Sequence, residues 1–177
     1  MVNGVSASLL YVSPTQINFV VPSYLDPGPA TIIISNPKGN YAFGTSQITP
    51  TAPAIFTLDA SGRGEAAALA TADGILHVPA PFDISVNGKP NFLVLFGTGF
   101  RHAGASNATD ENGIAESLRV TIDGIEATVV YAGPQGQYVG LDQINVQIPA
   151  TLQGGRRVEV VITVNGIESN RTTIQMK

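Results

Sequence analysis

The residues with the strongest claim to chemistry are few. His77 and His102 are the only histidines of the chain. Hydrolysis by a triad needs a histidine held beside a nucleophile and an acid. His102 follows Gly99-Phe100-Arg101 in a polar stretch with Ser106, Asn107, Thr109, Asp110 and Glu111. No nucleophile-elbow sequence accompanies it, so an exposed loop histidine is expected. His77, between Ile75-Leu76 and Val78-Pro79, is expected on the surface at a strand edge.

Three further groups invite a chemical reading. Asp59-Ala60-Ser61-Gly62-Arg63-Gly64 is glycine-rich, but a phosphate loop also needs a lysine and a following helix. A solvent hairpin turn is expected there. Asp110, Glu111 and Asn112 offer oxygen ligands of the kind Ca²⁺ accepts, without the spacing of an EF-hand loop. A solvated acidic loop is expected, and it is the first place to look for a metal; no catalytic residue, cofactor or metal ligand is assigned. Tyr41, Phe43 and Tyr138, with Tyr24, lie near turns and are the candidate ligand-facing aromatics. Tyr41 and Phe43 are two apart, so an extended backbone puts both rings on one face. Packing against a neighbouring strand or stacking on a sugar are the two readings of that pair, and tryptophan, the usual sugar platform, is absent. Tyr11 and Tyr131 are expected in a core or at a sheet edge. Arg156-Arg157 reads as a solvated pair opening a strand. The sequons Asn107-Ala108-Thr109 and Asn170-Arg171-Thr172 carry weight only if the source glycosylates such sites, and little if it is bacterial.

The elements that must position these residues follow from composition. The chain has 177 residues, a net charge of −4 and no cysteine. Only 12% of residues are charged, against about 25% in ordinary domains, while 44% are hydrophobic. Disorder requires the reverse balance. Disulfides and cysteine-ligated zinc are excluded, and the acidic charge argues against a nucleic-acid partner. Glycine (19) and proline (12) are too frequent for a helical bundle. The apolar run Phe92–Phe96 is far short of the roughly 20 residues a membrane helix needs. Residues 2–5 carry no basic and apolar leader pattern. A turn-rich β protein with an uncharged polar surface remains, and such surfaces fit exported modules.

Asn-Gly or Asp-Gly pairs recur at Asn3-Gly4, Asp73-Gly74, Asn87-Gly88, Asn112-Gly113, Asp123-Gly124 and Asn165-Gly166. They predict type I′ hairpin turns, which need positive φ at both central residues. Alternating apolar positions predict strands at Leu118–Ile122, Ile144–Ile148 and Val158–Val164. Residues 64–72 are the one helix candidate, with a β-hairpin or short turn as the alternative.

An internal repeat organises the chain. Val2-Asn3-Gly4-Val5 through Leu10-Tyr11-Val12-Ser13-Pro14 matches Ile122-Asp123-Gly124-Ile125 through Val130-Tyr131-Ala132-Gly133-Pro134. Gln16-Ile17-Asn18-Phe19-Val20-Val21-Pro22 then matches Gln143-Ile144-Asn145-Val146-Gln147-Ile148-Pro149, after seven extra residues in the second copy. The expected domains are a partial module over 1–52, and a linking hairpin plus a complete module over 53–177. The first copy has no counterpart of Phe92–Phe100. Three readings stay open: the chain is a fragment of a longer protein, another chain donates the missing strand, or residues Pro53–Val78 fold back to fill the gap.

These residues resemble known modules. Phe92 to Phe100, with Phe96-Gly97-Thr98-Gly99-Phe100, resembles the opening of the IPT/TIG immunoglobulin-like module. Val2-Asn3-Gly4 through Pro22, and Ala52-Pro53-Ala54-Ile55-Phe56-Thr57-Leu58-Asp59 with Gly62-Arg63-Gly64, resemble an uncharacterised C-terminal domain of secreted Acidobacteria (Solibacter-like) proteins. The resemblance implies an all-β fold of two tandem Ig-like Greek-key β-sandwiches, the first lacking its N-terminal strands. It implies no catalytic or metal residues. The expected function is a non-catalytic structural, adhesion or assembly module at the bacterial cell surface or outside the cell. Its partner is a second copy or another domain of the same exported protein. The expected contact edge comprises Val2, Val5, Leu9, Tyr11, Ile17 and Phe19. A carbohydrate-binding accessory module is the alternative, with a glycan on the aromatics.

Overall fold

The computed structural model describes residues 1–100 and 117–177, and every element among them is a β-strand. The chain divides into two compact units, Met1–Pro50 and Thr51–Lys177.

The first unit holds β1 (Ser8–Val12), β2 (Ile17–Val20), β3 (Gly28–Ser35) and β4 (Tyr41–Ile48). They form two separate two-stranded antiparallel sheets, β1-β2 and β3-β4. The Asn3-Gly4 turn ties the amino terminus to β3. Asn3 N donates to Thr31 O at 2.9 Å, and its side chain accepts from Thr31 N at 2.8 Å. Val2 bridges to both Ile32 and Val5. Among the apolar side chains of this unit only Val2 and Ala30 are buried. A lone two-stranded hairpin is marginal in water, since it has no second layer to cover its apolar face.

The second unit holds β5 (Ala54–Ile55), β6 (Gly64–Glu65), β7 (Ala68–Thr71), β8 (Ser85–Val86), β9 (Lys89–Pro90), β10 (Phe92–Thr98), β11 (Leu118–Ile122), β12 (Ile125–Ala127), β13 (Val129–Pro134), β14 (Asp142–Gln147), β15 (Arg157–Val164), β16 (Ile167–Glu168) and β17 (Thr172–Gln175). One five-stranded sheet runs β13-β14-β10-β5, with β7 also on β10. A six-stranded sheet runs β12-β11-β15-β17-β6, with β16 on β15. Alternation accounts for most of the packing, with Val94 and Val161 also buried on the opposite faces of their strands. Ile55, Leu93, Leu95, Ile144 and Val146 from the first sheet share one core with Val120, Ile122, Val158, Val160, Ile162 and Ile174 from the second. Arg119, Thr121 and Glu159 fall on the other face. This is an all-β arrangement of sheets around a common core, consistent with a β-sandwich. Each aliphatic side chain so buried contributes about 1.5–3 kcal/mol.

Several expectations are corrected. Within Pro53–Val78, β5 and β7 pair with β10 and β6 pairs in parallel with β17, all inside the second unit. Residues 64–72 make neither a helix nor a hairpin, because their two short strands go to different sheets. The I′ geometry is present at Asn3-Gly4, Asn87-Gly88, Asp123-Gly124 and Asn165-Gly166, where both residues have positive φ. At Asp73-Gly74 only the glycine is left-handed. There the Asp73 carboxylate accepts from Ile75 N and Leu76 N, both at 2.9 Å, and builds a side-chain turn instead.

Candidate functional site

The repeat is reproduced in three dimensions, and its two copies differ in what covers them. In the first, Leu9 faces Phe19 and Tyr11 faces Asn18, with a bulge at Leu10. In the second, Val129 faces Val146 and Tyr131 faces Asn145, with a bulge at Val130. Gln16 donates to the Asn18 side chain at 2.7 Å, as Gln143 does to Asn145 at 2.8 Å. Val2 pairs with Ile32 as Ile122 pairs with Val160. Asn3 N donates to Thr31 O as Asp123 N donates to Glu159 O.

This correspondence shows where the two units differ among the described residues. β14 is paired by β13 on one side and β10 on the other. Its counterpart β2 is paired by β1 alone, and among the described residues no strand lies along its second edge. Burial follows. Ile148 is 1% exposed, whereas its counterpart Val21 is 46% exposed. Ile162 is 0% exposed, whereas Ile34, its counterpart in the β3 register, is 47% exposed. The same motif is therefore a core in one unit and an open apolar face in the other.

The expected contact edge is placed unevenly on this face. Leu9 and Tyr11 are exposed, Ile17, Phe19 and Val5 are half-buried, and Val2 is buried. Val2 is thus an internal tie between the turn and β3 rather than a contact residue. Tyr11 and Tyr131 are exposed residues of β1 and β13 and not core residues; Tyr131 donates to Pro134 O at 2.6 Å. β13 ends its sheet, which is why that ring reaches solvent. Leu10, Val12, Val21 and Ile34 extend the exposed apolar surface and were missed by the reading of the sequence. Val12, Val21 and Ile34 align with covered residues of the second copy, Ala132, Ile148 and Ile162, whereas Leu10 aligns with Val130, itself exposed.

The aromatics separate into two places. Tyr41 and Phe43, 75% and 76% exposed, stand on β4 opposite Ser35 and Ile33. They alternate with Ala42 and Gly44, which lie opposite Ile34 and Ile32. Ile32 corresponds to the core residue Val160, so the two rings occupy the face away from the open apolar one. Tyr138 belongs to the second unit, in the insertion between β13 and β14, and is exposed beside Val139.

The remaining candidates resolve locally. His77 is exposed, next to the bridge between Ala70 and Val78. The Asp59 carboxylate accepts from Ser61 N and Oγ at 3.0 and 2.7 Å, a closed turn whose hydrogen bonds hold that carboxyl below its ordinary value. Arg156 pairs with Asp123 just before β15. Asn170 is a structural clamp. Its Oδ1 accepts from Ile55 N at 2.7 Å, and its Nδ2 donates to Ile55 O and Gly62 O at 2.9 and 2.8 Å. Both amide hydrogens are in use, so this sequon is not an open acceptor. Asp142, buried, accepts from Phe100 N at 3.2 Å and anchors the turn after β10. His102, Asn107, Asp110, Glu111 and Asn112 lie outside the described residues. No group of three or more acidic or histidine side chains converges among the described residues.

No family model, curated protein or solved structure matches the chain.

Proposed function

We propose that the protein is a non-catalytic structural module of an exported bacterial protein, built as two related Ig-like Greek-key sandwiches of which the first is incomplete. It works by assembly. A strand supplied in trans, by a second copy or by another domain of the same exported protein, covers the open face of the first unit. The observation that carries this reading is the pair Val21 and Ile148, equivalent in one hydrogen-bonded motif and opposite in burial. Exposed apolar surface beside an unpaired strand edge is a recognised site of strand addition.

The test is the association state of the full chain by light scattering, with Phe19→Glu and Val21→Glu as variants. Concentration-dependent association lost in both, with the melting of the second unit unchanged, supports the reading. A chain that is monomeric at all concentrations and binds no strand removes it.

A second reading is a carbohydrate-binding accessory module. Tyr41 and Phe43 favour it, because two exposed rings on one strand face form the kind of platform that stacks on sugars. Binding on a glycan array that is lost in Tyr41→Ala supports it, and silence across polysaccharides counts against it.

A further inference from the structure

Resting on the assembly reading, we infer which strand the first unit takes up and in what register: an antiparallel segment with the chemistry of β10, seated along β2 from outside this chain. The second unit supplies the template. β10 pairs with β14 as Phe92↔Gln147, Leu93↔Val146, Val94↔Asn145, Leu95↔Ile144 and Phe96↔Gln143. Transferred through the repeat, the incoming strand sets its Leu95-like residue opposite Ile17, its Leu93-like residue opposite Phe19 and its Phe96-like residue opposite Gln16.

The direction of the backbone groups agrees. Gln147 N donates to Thr128 O on the β13 side, whereas Ile148 N donates to Asn91 O on the β10 side. Alternation along the strand then aims the amides of Ile144 and Val146 at β10. In the first unit Ser13 N donates to Gln16 O, which turns Gln16 toward β1. The amides of Ile17, Phe19 and Val21 therefore point to the open edge. An occupant must be extended, apolar and without proline at the residue opposite Ile17.

A second copy's own β10 does not qualify. It is held by β14 on one edge and by β5 and β7 on the other, and its Leu93 and Leu95 are fully buried. Donating it would unfold the second unit. The occupant is thus a separate segment of the Phe-Leu-Val-Leu-Phe-Gly-Thr-Gly type.

The probe is a synthetic peptide with the sequence Lys89–Phe100, extended by lysines for solubility, added to the isotope-labelled full chain. Amide exchange is read by NMR. Exchange at Ile17, Phe19 and Val21 slows about ten-fold or more, with Gln16, Asn18 and Val20 much less affected. The same peptide with Leu95→Pro, which removes the donor facing Ile17, gives no protection. Protection at β13, or equal protection by both peptides, overturns the inference. No protection by the peptide, together with self-association that protects β2, overturns the strand identity and leaves the assembly reading intact. No protection and a strictly monomeric chain overturn both.

Discussion

Val21 and Ile148 occupy the same place in two copies of one motif, and one is 46% exposed while the other is 1% exposed. The difference is the presence of β10 beside β14 and the lack of its counterpart beside β2 among the described residues. The pair makes an internal control. Ile148→Ala is expected to cost the second unit about 2–5 kcal/mol, because a filled core site is emptied. Val21→Ala is expected to change stability by no more than about 0.5 kcal/mol. Urea denaturation of the two variants, read through native-state exchange, checks the contrast.

Gly97 lies where β10 meets β5. A Cβ there would run into Ala54 O and the Phe100 ring. Gly97→Ala is expected to lever β5 away and cost about 1–3 kcal/mol, as overpacking does. Gly124→Ala has open space but a left-handed φ of 76°, and is expected to cost about 1–2 kcal/mol from backbone strain alone. Thermal melts rank the two, and faster amide exchange at Phe56, whose N donates to Phe96 O across the β5–β10 seam, is specific to the first.

Asn170, between β16 and β17, holds Ile55 of β5 by two hydrogen bonds and Gly62 O by a third. Asn170→Asp keeps the shape but turns an acceptor toward Ile55 O and Gly62 O. The expected loss is about 1–3 kcal/mol, the usual cost of leaving partners unsatisfied. Arg171→Ala, next along the chain, breaks exposed ion pairs to Glu159 and Glu168 at 2.7 and 2.8 Å. Its expected cost is below about 1 kcal/mol.

Asp73 titrates below its ordinary value of 3.8, because the backbone amides of Ile75 and Leu76 donate to the ionised carboxylate. A depressed folded value favours the charged form, so the turn is fully held above 3.8 and loosens as pH falls through the folded value. Proton exchange at Ile75 and Leu76 is expected to lose its protection in that acid range only. An NMR titration showing the Asp73 midpoint at or above the unfolded value would remove this account.

Legibility in the sequence followed the periodicity. Leu118–Ile122, Ile144–Ile148 and Val158–Val164 are read directly, because a half-buried strand stamps its two faces on alternate residues. The turns at Asn3-Gly4 and Asp123-Gly124 are read equally directly. Residues 54–71 are not, because β5, β6 and β7 are short, half alanine and glycine, and stabilised by distant partners such as Asn170 and Thr173. Asp73-Gly74 misleads because the neighbouring carboxylate captures the amides. At the open face, Leu9, Tyr11, Ile17 and Phe19 came from the repeat. Val21 aligns there as well, but its exposure and that of Ile34 are not legible, since a sequence gives the apolar pattern of a strand without saying whether a second layer covers it.

The bulge at Leu10 gives the first unit a sense of direction. A bulged strand twists and interrupts its own ladder, so it makes a poor template for further pairing. β1 is blunted in this way, while β2 pairs through Ile17 and Asn18 without a register shift. Under the proposed strand uptake the module would be monovalent, taking a strand along β2 only and terminating a sheet where a two-sided module would propagate one.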